Sequence, residues 1–177
     1  TSISRSAQEQ LTIIKNDLNI SFENTQLILT LYFTFLALGQ ILSGPFSDKY
    51  GRKPILLLGA SIYSISAFFA SLSSNIEILL ILRCFQGFGA AACLSVGRTI
   101  LSDCYEIKEA AKEMSKMTAI MAVIPISCFI FGGFLAEFLG WRTNLIALGL
   151  ISLILIIAMS FLLNETLIKK AKSISFK

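Results

Sequence analysis

The chain has 177 residues, of which 55% are hydrophobic and only 15% charged, with a net charge of +4. Ordinary soluble chains carry about 25% charged residues, so this balance points to lipid rather than water as the main solvent. The positive excess is too small for a nucleic-acid surface, and the lack of any histidine removes the commonest general base and transition-metal ligand.

Residues 1–22 read as an external lead-in. Within it, 7–20 are mildly amphipathic, with Leu11, Ile14 and Leu18 on one helical face and Glu9, Lys15 and Asp17 off it. Five apolar segments follow, at about 25–44, 54–73, 77–101, 115–136 and 143–163. Each is near or above the roughly 18–20 residues that cross about 30 Å of hydrocarbon as a helix. Strand edges in lipid leave backbone groups unpaired, and no period-two alternation appears, so an all-α membrane protein with five transmembrane helices is expected. Residues 23–168 form that membrane domain, and 169–177 a basic tail. Four cysteines (Cys84, Cys93, Cys104, Cys128) stand in or beside the apolar runs without CxxC spacing; they read as small hydrophobes, not as a disulfide framework or zinc site.

The connections are short, at 45–53, 74–76, 102–114 and 137–142. In the first, Gly44-Pro45 is expected to stop one helix, Gly51 to permit a tight turn, and Pro54 to suit the first turn of the next. Asp48 lies among three cations and reads as the acidic hub of a small charge cluster. Lys49, Arg52 and Lys53, then Arg98, Lys108, Lys112 and Lys116, then Lys169, Lys170, Lys172 and Lys177 fall on one side of the membrane. These are eleven of the fifteen Lys and Arg, a positive-inside signal that puts the 45–53 loop and the C-terminus in the cytoplasm. An external start without a signal-like segment predicts a further span upstream.

Arg83 is about seven residues into the third span, roughly 10 Å along the helix. A central arginine costs about 2.5–3.5 kcal/mol on insertion scales, so it faces the protein interior or a water-filled cavity, the alternative being snorkelling outward. Gln86, three residues on, shares its face. Gly87, Gly89 and Ala90–Ala92 form a small-residue face suited to close helix packing. Tyr32, Phe33, Phe35 and Phe85 offer rings to an apolar ligand, but with 14 Phe in the chain, lipid or helix packing is the simpler role for each.

The run Gly44-Pro45-Phe46-Ser47-Asp48-Lys49-Tyr50-Gly51-Arg52-Lys53-Pro54 resembles the signature loop of the major facilitator superfamily, G-x-L-[AS]-D-[RK]-x-G-R-[RK]-P, with Phe46 at the usual leucine. Residues 79–91, Gly132-Gly133, Gly140-Trp141-Arg142 and Glu165-Thr166-Leu167 look most like its bicyclomycin-resistance type of drug:proton antiporter, a resemblance covering about 10–168. It implies that the five spans are helices two to six of a twelve-helix fold, an N-terminal half lacking its first helix. Two halves would rock around a midplane site. Gly44, Asp48, Gly51 and Arg52 would form a cytoplasmic latch, with Arg98 either meeting Asp48 or snorkelling to headgroups. Arg83 and Gln86 would line the cavity and couple protons, and Pro125, Gly132 and Gly133 would shape the fifth family helix. The resemblance implies no enzyme and no cofactor, a proton gradient as energy source, and a bacterial cytoplasmic membrane location. The partners it implies are a small amphipathic drug-like substrate, protons, the lipid bilayer, and the missing first helix and C-terminal half.

Three departures stand out. Cys128 and Phe129 occupy the places of the family's Gly-Pro pair, and Asn164 that of the proline before Glu-Thr-Leu. None of the eleven acidic residues lies well inside a span, whereas the family keeps a carboxylate in its first helix. Two functional expectations therefore stand together: part of a proton-coupled multidrug or small-molecule exporter, or a truncated, transport-inactive remnant that persists as an integral membrane protein.

Overall fold

The computed structural model describes residues 22–166, save the side chains of Phe22 and of several residues between 125 and 137. The amphipathic lead-in and the basic tail lie outside the described residues. Five helices follow one another: α1 (Phe22–Tyr50), α2 (Arg52–Leu72), α3 (Ile76–Cys104), α4 (Ile107–Leu139) and α5 (Trp141–Leu162). Each covers one expected span, and no strand occurs among the described residues. By length and composition α1, α2, α3 and α5 are each able to cross a membrane.

Apolar composition alone does not make these helices tolerable in lipid; their hydroxyls must also find acceptors. Thr30 and Thr34 donate to the carbonyls of Gln26 and Thr30, at 3.1 and 2.8 Å, and Ser61 to Leu57 O at 2.8 Å. Back-bonding of this kind keeps polar side chains satisfied without a neighbour. The breaks between helices are equally local. Gly51 (φ +111°) separates α1 from α2 and Gly140 (φ +84°) separates α4 from α5, a backbone region that costs glycine almost nothing. Asn75 caps α3, its side chain accepting from Glu77 N at 2.9 Å.

The expected helix stop at Gly44-Pro45 is wrong, because α1 runs on to Tyr50 with Pro45 inside it. Proline removes one donor, but its fixed φ is already helical, and the later residues keep their own bonds. The chain turns only at Gly51, where Gly51 N still reaches Ser47 O at 3.0 Å. The 102–114 connection contracts likewise to two residues between α3 and α4. Hydropathy marks the stretch in hydrocarbon, while the helices run past it into the polar zone. There Glu113 and Lys116 pair one turn apart, at 2.6 Å. Pro54 does sit in the first turn of α2.

Packing is centred on α3, which lies against both α1 and α2 along much of its length, while α2 also lies against α5. Small residues make that closeness possible. A Cβ on Gly89 would stand 2.5 Å from Gly59 O, and one on Gly87 would press on the carbonyl of Tyr32. Ser64 and Ser152 bond the α2–α5 seam to the carbonyls of Gly149 and Ala60, at 2.9 and 3.2 Å. At the end remote from the basic loop, Ile28, Ala70, Leu79, Trp141 and Leu145 form a buried cluster. Large side chains such as Ile41, Phe69 and Ile154 point outward instead. An apolar exterior around small and hydroxylated contacts is what a lipid solvent allows, since apolar surface facing acyl chains costs nothing.

Candidate functional site

Two polar clusters interrupt this apolar bundle. The first is at its basic end. Because α1 continues as a helix, Asp48 and Arg52 face each other across Gly51, and they form an ion pair. The Arg52 guanidinium also takes Asp103 on α3 (Nε to Oδ2, 2.9 Å) and donates to Ser47 Oγ at 2.7 Å. Its side chain is only 7% exposed, against 49% for Asp48 and 27% for Asp103. A nearly dehydrated cation is tolerable because two carboxylates and a hydroxyl surround it.

A fourth group completes the cluster from the far end of the chain. Glu165, just after α5, accepts from the backbone N–H of Arg52 at 2.9 Å and of Lys53 at 3.3 Å. Gly51 offers α2 no side-chain cap, so a carboxylate 113 positions away supplies it. Its negative charge also meets the positive end of the α2 dipole. Gly51 makes room for it: a Cβ there would lie 2.5 Å from Glu165 Oε2. Lys53 strengthens the same seam through Nζ to Ser160 O at 2.8 Å.

Asp103 and Glu165 escape sequence reasoning, which sees both as ordinary span-end acids. The signal available is weak: Glu165 is the last acid before a wholly basic tail, inside a stretch that carries only the family resemblance. Arg98, a candidate partner for Asp48, is exposed and sits in none of the ion pairs among the described residues. Gly44 makes no close approach, since a Cβ there would meet nothing within 4 Å.

The second cluster is inside the bundle. Arg83 Nη1 donates to Gln86 Oε1 at 3.1 Å, so the i, i+3 relation is realised as a contact. Gln86 is fully buried, and Arg83 half-buried. The phenols of Tyr32 on α1 and Tyr63 on α2 lie within electrostatic reach of the guanidinium. Arg83 Nε and Gln86 Nε2 are buried donors without a partner among the described residues. Such orphans are rare in folded chains and mark a place where another group belongs. Nearby, Gly87 and Gly89 are both buried. On α4, Gly132 O accepts from Asn144 Nδ2 of α5 at 2.9 Å. Pro125 and Gly133 fall on positions whose side chains lie outside the described residues.

The comparisons agree with this architecture. The family model for the Major Facilitator Superfamily matches residues 10–176. A bicyclomycin resistance protein homolog of Haemophilus influenzae is 31% identical over 153 residues, covering 86% of this chain and 38% of that protein. An MFS-type transporter of Bacillus subtilis is 36% identical over 156 residues, covering 87% and 39%. Multidrug resistance protein MdtL of Escherichia coli is 28% identical over 153 residues, covering 86% and 39%. The chain thus spans under two-fifths of the length of these curated relatives. With a signature loop that folds into an Arg52-centred cluster and a helical bundle apolar on its outside, this multi-pass membrane protein belongs to the Major Facilitator Superfamily.

Proposed function

We propose that this chain forms part of the N-terminal domain of a proton-coupled exporter of small amphipathic molecules, drugs among them, in a bacterial cytoplasmic membrane. The observation that carries the proposal is the Arg83–Gln86 pair, whose two orphan donors stand inside an otherwise apolar bundle. A group on a further helix, such as the carboxylate family members keep in their first helix, would satisfy them and titrate there. The names of the Haemophilus and Escherichia relatives support resistance substrates. The basic loop and tail support a cytoplasmic C-terminus. The working site then needs the first helix and the second half of the transporter around residues 23–168.

In this reading Arg83 and Gln86 handle the coupling ion and the polar end of the substrate, while no covalent chemistry occurs. The Asp48–Arg52–Asp103 cluster acts as a latch that holds α1, α2 and α3 together at their cytoplasmic ends during rocking. In the complete protein, Arg83→Ala should abolish energised efflux while membrane insertion stays intact. Efflux at the wild-type rate would remove the coupling role. Asp48→Asn should slow transport and leave substrate binding unchanged; unaltered transport would reduce the loop to a topology signal.

A further inference from the structure

The donors around Arg83 bear on the kind of cargo that the proposed exporter takes. Two glycines of α3 set their geometry. The backbones of Tyr32 on α1 and Tyr63 on α2 lie directly against Gly87 and Gly89, a Cβ on Gly89 standing 2.7 Å from Tyr63 N. Both tyrosines are therefore held beside the turn of α3 that carries Gln86. Each phenol lies within electrostatic reach of the other and of the Arg83 guanidinium. Both tyrosines are half-buried, as Arg83 is.

Every side chain of this group can donate. The guanidinium has no acceptor, and the phenols carry O–H groups. Gln86 turns its carbonyl oxygen to Arg83 Nη1 at 3.1 Å, which leaves its amide nitrogen as a further donor. No carboxylate pairs with Arg83 among the described residues. A cation in apolar surroundings is costly until an anion faces it. One anion is also too few. With one N–H of Arg83 given to Gln86, and the amide of Gln86 counted in, about six N–H donors remain, against about four lone-pair positions on one carboxylate. A carboxylate from a further helix leaves donors over for a second one carried by the cargo. A small inorganic anion loses its hydration here without compensation, whereas a carboxylate on an apolar body gains by burying that body.

We propose that Arg83, Gln86, Tyr32 and Tyr63 seat the carboxylate of an amphipathic organic acid, which makes such acids part of the cargo. This assignment rests on the exporter reading and names its substrate class. The complete protein in detergent is titrated with naphthylacetate and, separately, with naphthylacetamide, which share one apolar body and differ in charge. Calorimetry reads both affinities. The acid should bind about tenfold more tightly than the amide, the worth of one charge-assisted hydrogen bond. Arg83→Gln should bring the two to one affinity, and Arg83→Lys should restore part of the preference. Tyr32→Phe and Tyr63→Phe keep the ring and remove one hydroxyl. Each should weaken the acid about fivefold and leave the amide unchanged, so that the amide reports intact folding in every variant. Equal losses of both ligands would give the phenols a packing role and overturn the assignment. Equal affinities in the unaltered protein, unmoved by Arg83→Gln, would mean that the protein's own carboxylates fill the donors, and overturn it too. Proteoliposomes with a proton gradient separate these failures from failure of the exporter reading. Gradient-driven movement of the amide without preference for the acid overturns the acid seat alone. Preferential binding of the acid, with neither molecule moved, upholds the seat and overturns the exporter.

Discussion

The two polar clusters solve opposite problems with similar residues. At the basic end, Arg52 is almost fully buried and its guanidinium meets acceptors on Asp48, Asp103 and Ser47. Inside the bundle, Arg83 has one hydrogen-bond partner, Gln86, and its Nε has none among the described residues. A satisfied buried charge is a fastener, because opening it exposes an unpaired ion. An unsatisfied one leaves donors open, and open donors concentrate where a protein meets something else. The same side chain is thus fully partnered in one place and left with open donors in the other, and the neighbours decide which.

That contrast can be broken by substitution. Replacing Arg52 by Met removes two ion pairs and a hydroxyl bond, and should lower stability by about 2 kcal/mol in detergent melting monitored by circular dichroism. The loss stays below the roughly 3–5 kcal/mol of a fully buried pair because the Asp48 side chain is half exposed. Glu165→Ala should cost about 1 kcal/mol, the usual worth of a helix cap. Its sharper readout is hydrogen exchange, with the Arg52 and Lys53 amides speeding up while those of α3 do not. No change at these two amides would mean that Glu165 does not cap α2.

Arg83→Met tests the other half of the contrast, and its effect should be smaller. An apolar side chain of similar volume removes the orphan Nε but also strips the buried Gln86 Oε1 of its donor, so the two effects offset and stability should change by no more than about 1 kcal/mol. A loss as large as that of Arg52→Met would show that Arg83 is a fastener as well. Smallest of all, Arg98→Gln should move stability by less than about 0.5 kcal/mol, since an exposed charge outside any pair contributes little. A larger drop would restore Arg98 as the partner of Asp48.

Much of the fold is legible in the sequence alone. Hydropathy locates all five helices, since in lipid only a helix satisfies its own backbone, and the small residues Gly87 and Gly89 announce close packing around α3. The i, i+3 spacing places Arg83 and Gln86 together because that relation lies within one helix. Helix ends read too short, most clearly at Pro45, because hydropathy reports the hydrocarbon slab and not the hydrogen-bond ladder that continues beyond it.

By itself, then, the amino-acid order determined what depends on neighbours along the chain: which stretches are helical, which sit in lipid, where glycine allows a turn, and that Arg83 faces Gln86. Only the tertiary structure decided which span-end acids matter. Asp103 stands 51 positions from Arg52, and Glu165 stands 113 from it. Eleven acidic residues lie at ends or in loops and look alike in a linear reading. Two of them become a counter-ion and a helix cap because α3 and α5 end beside the start of α2, a proximity that comes from packing and that no local pattern encodes.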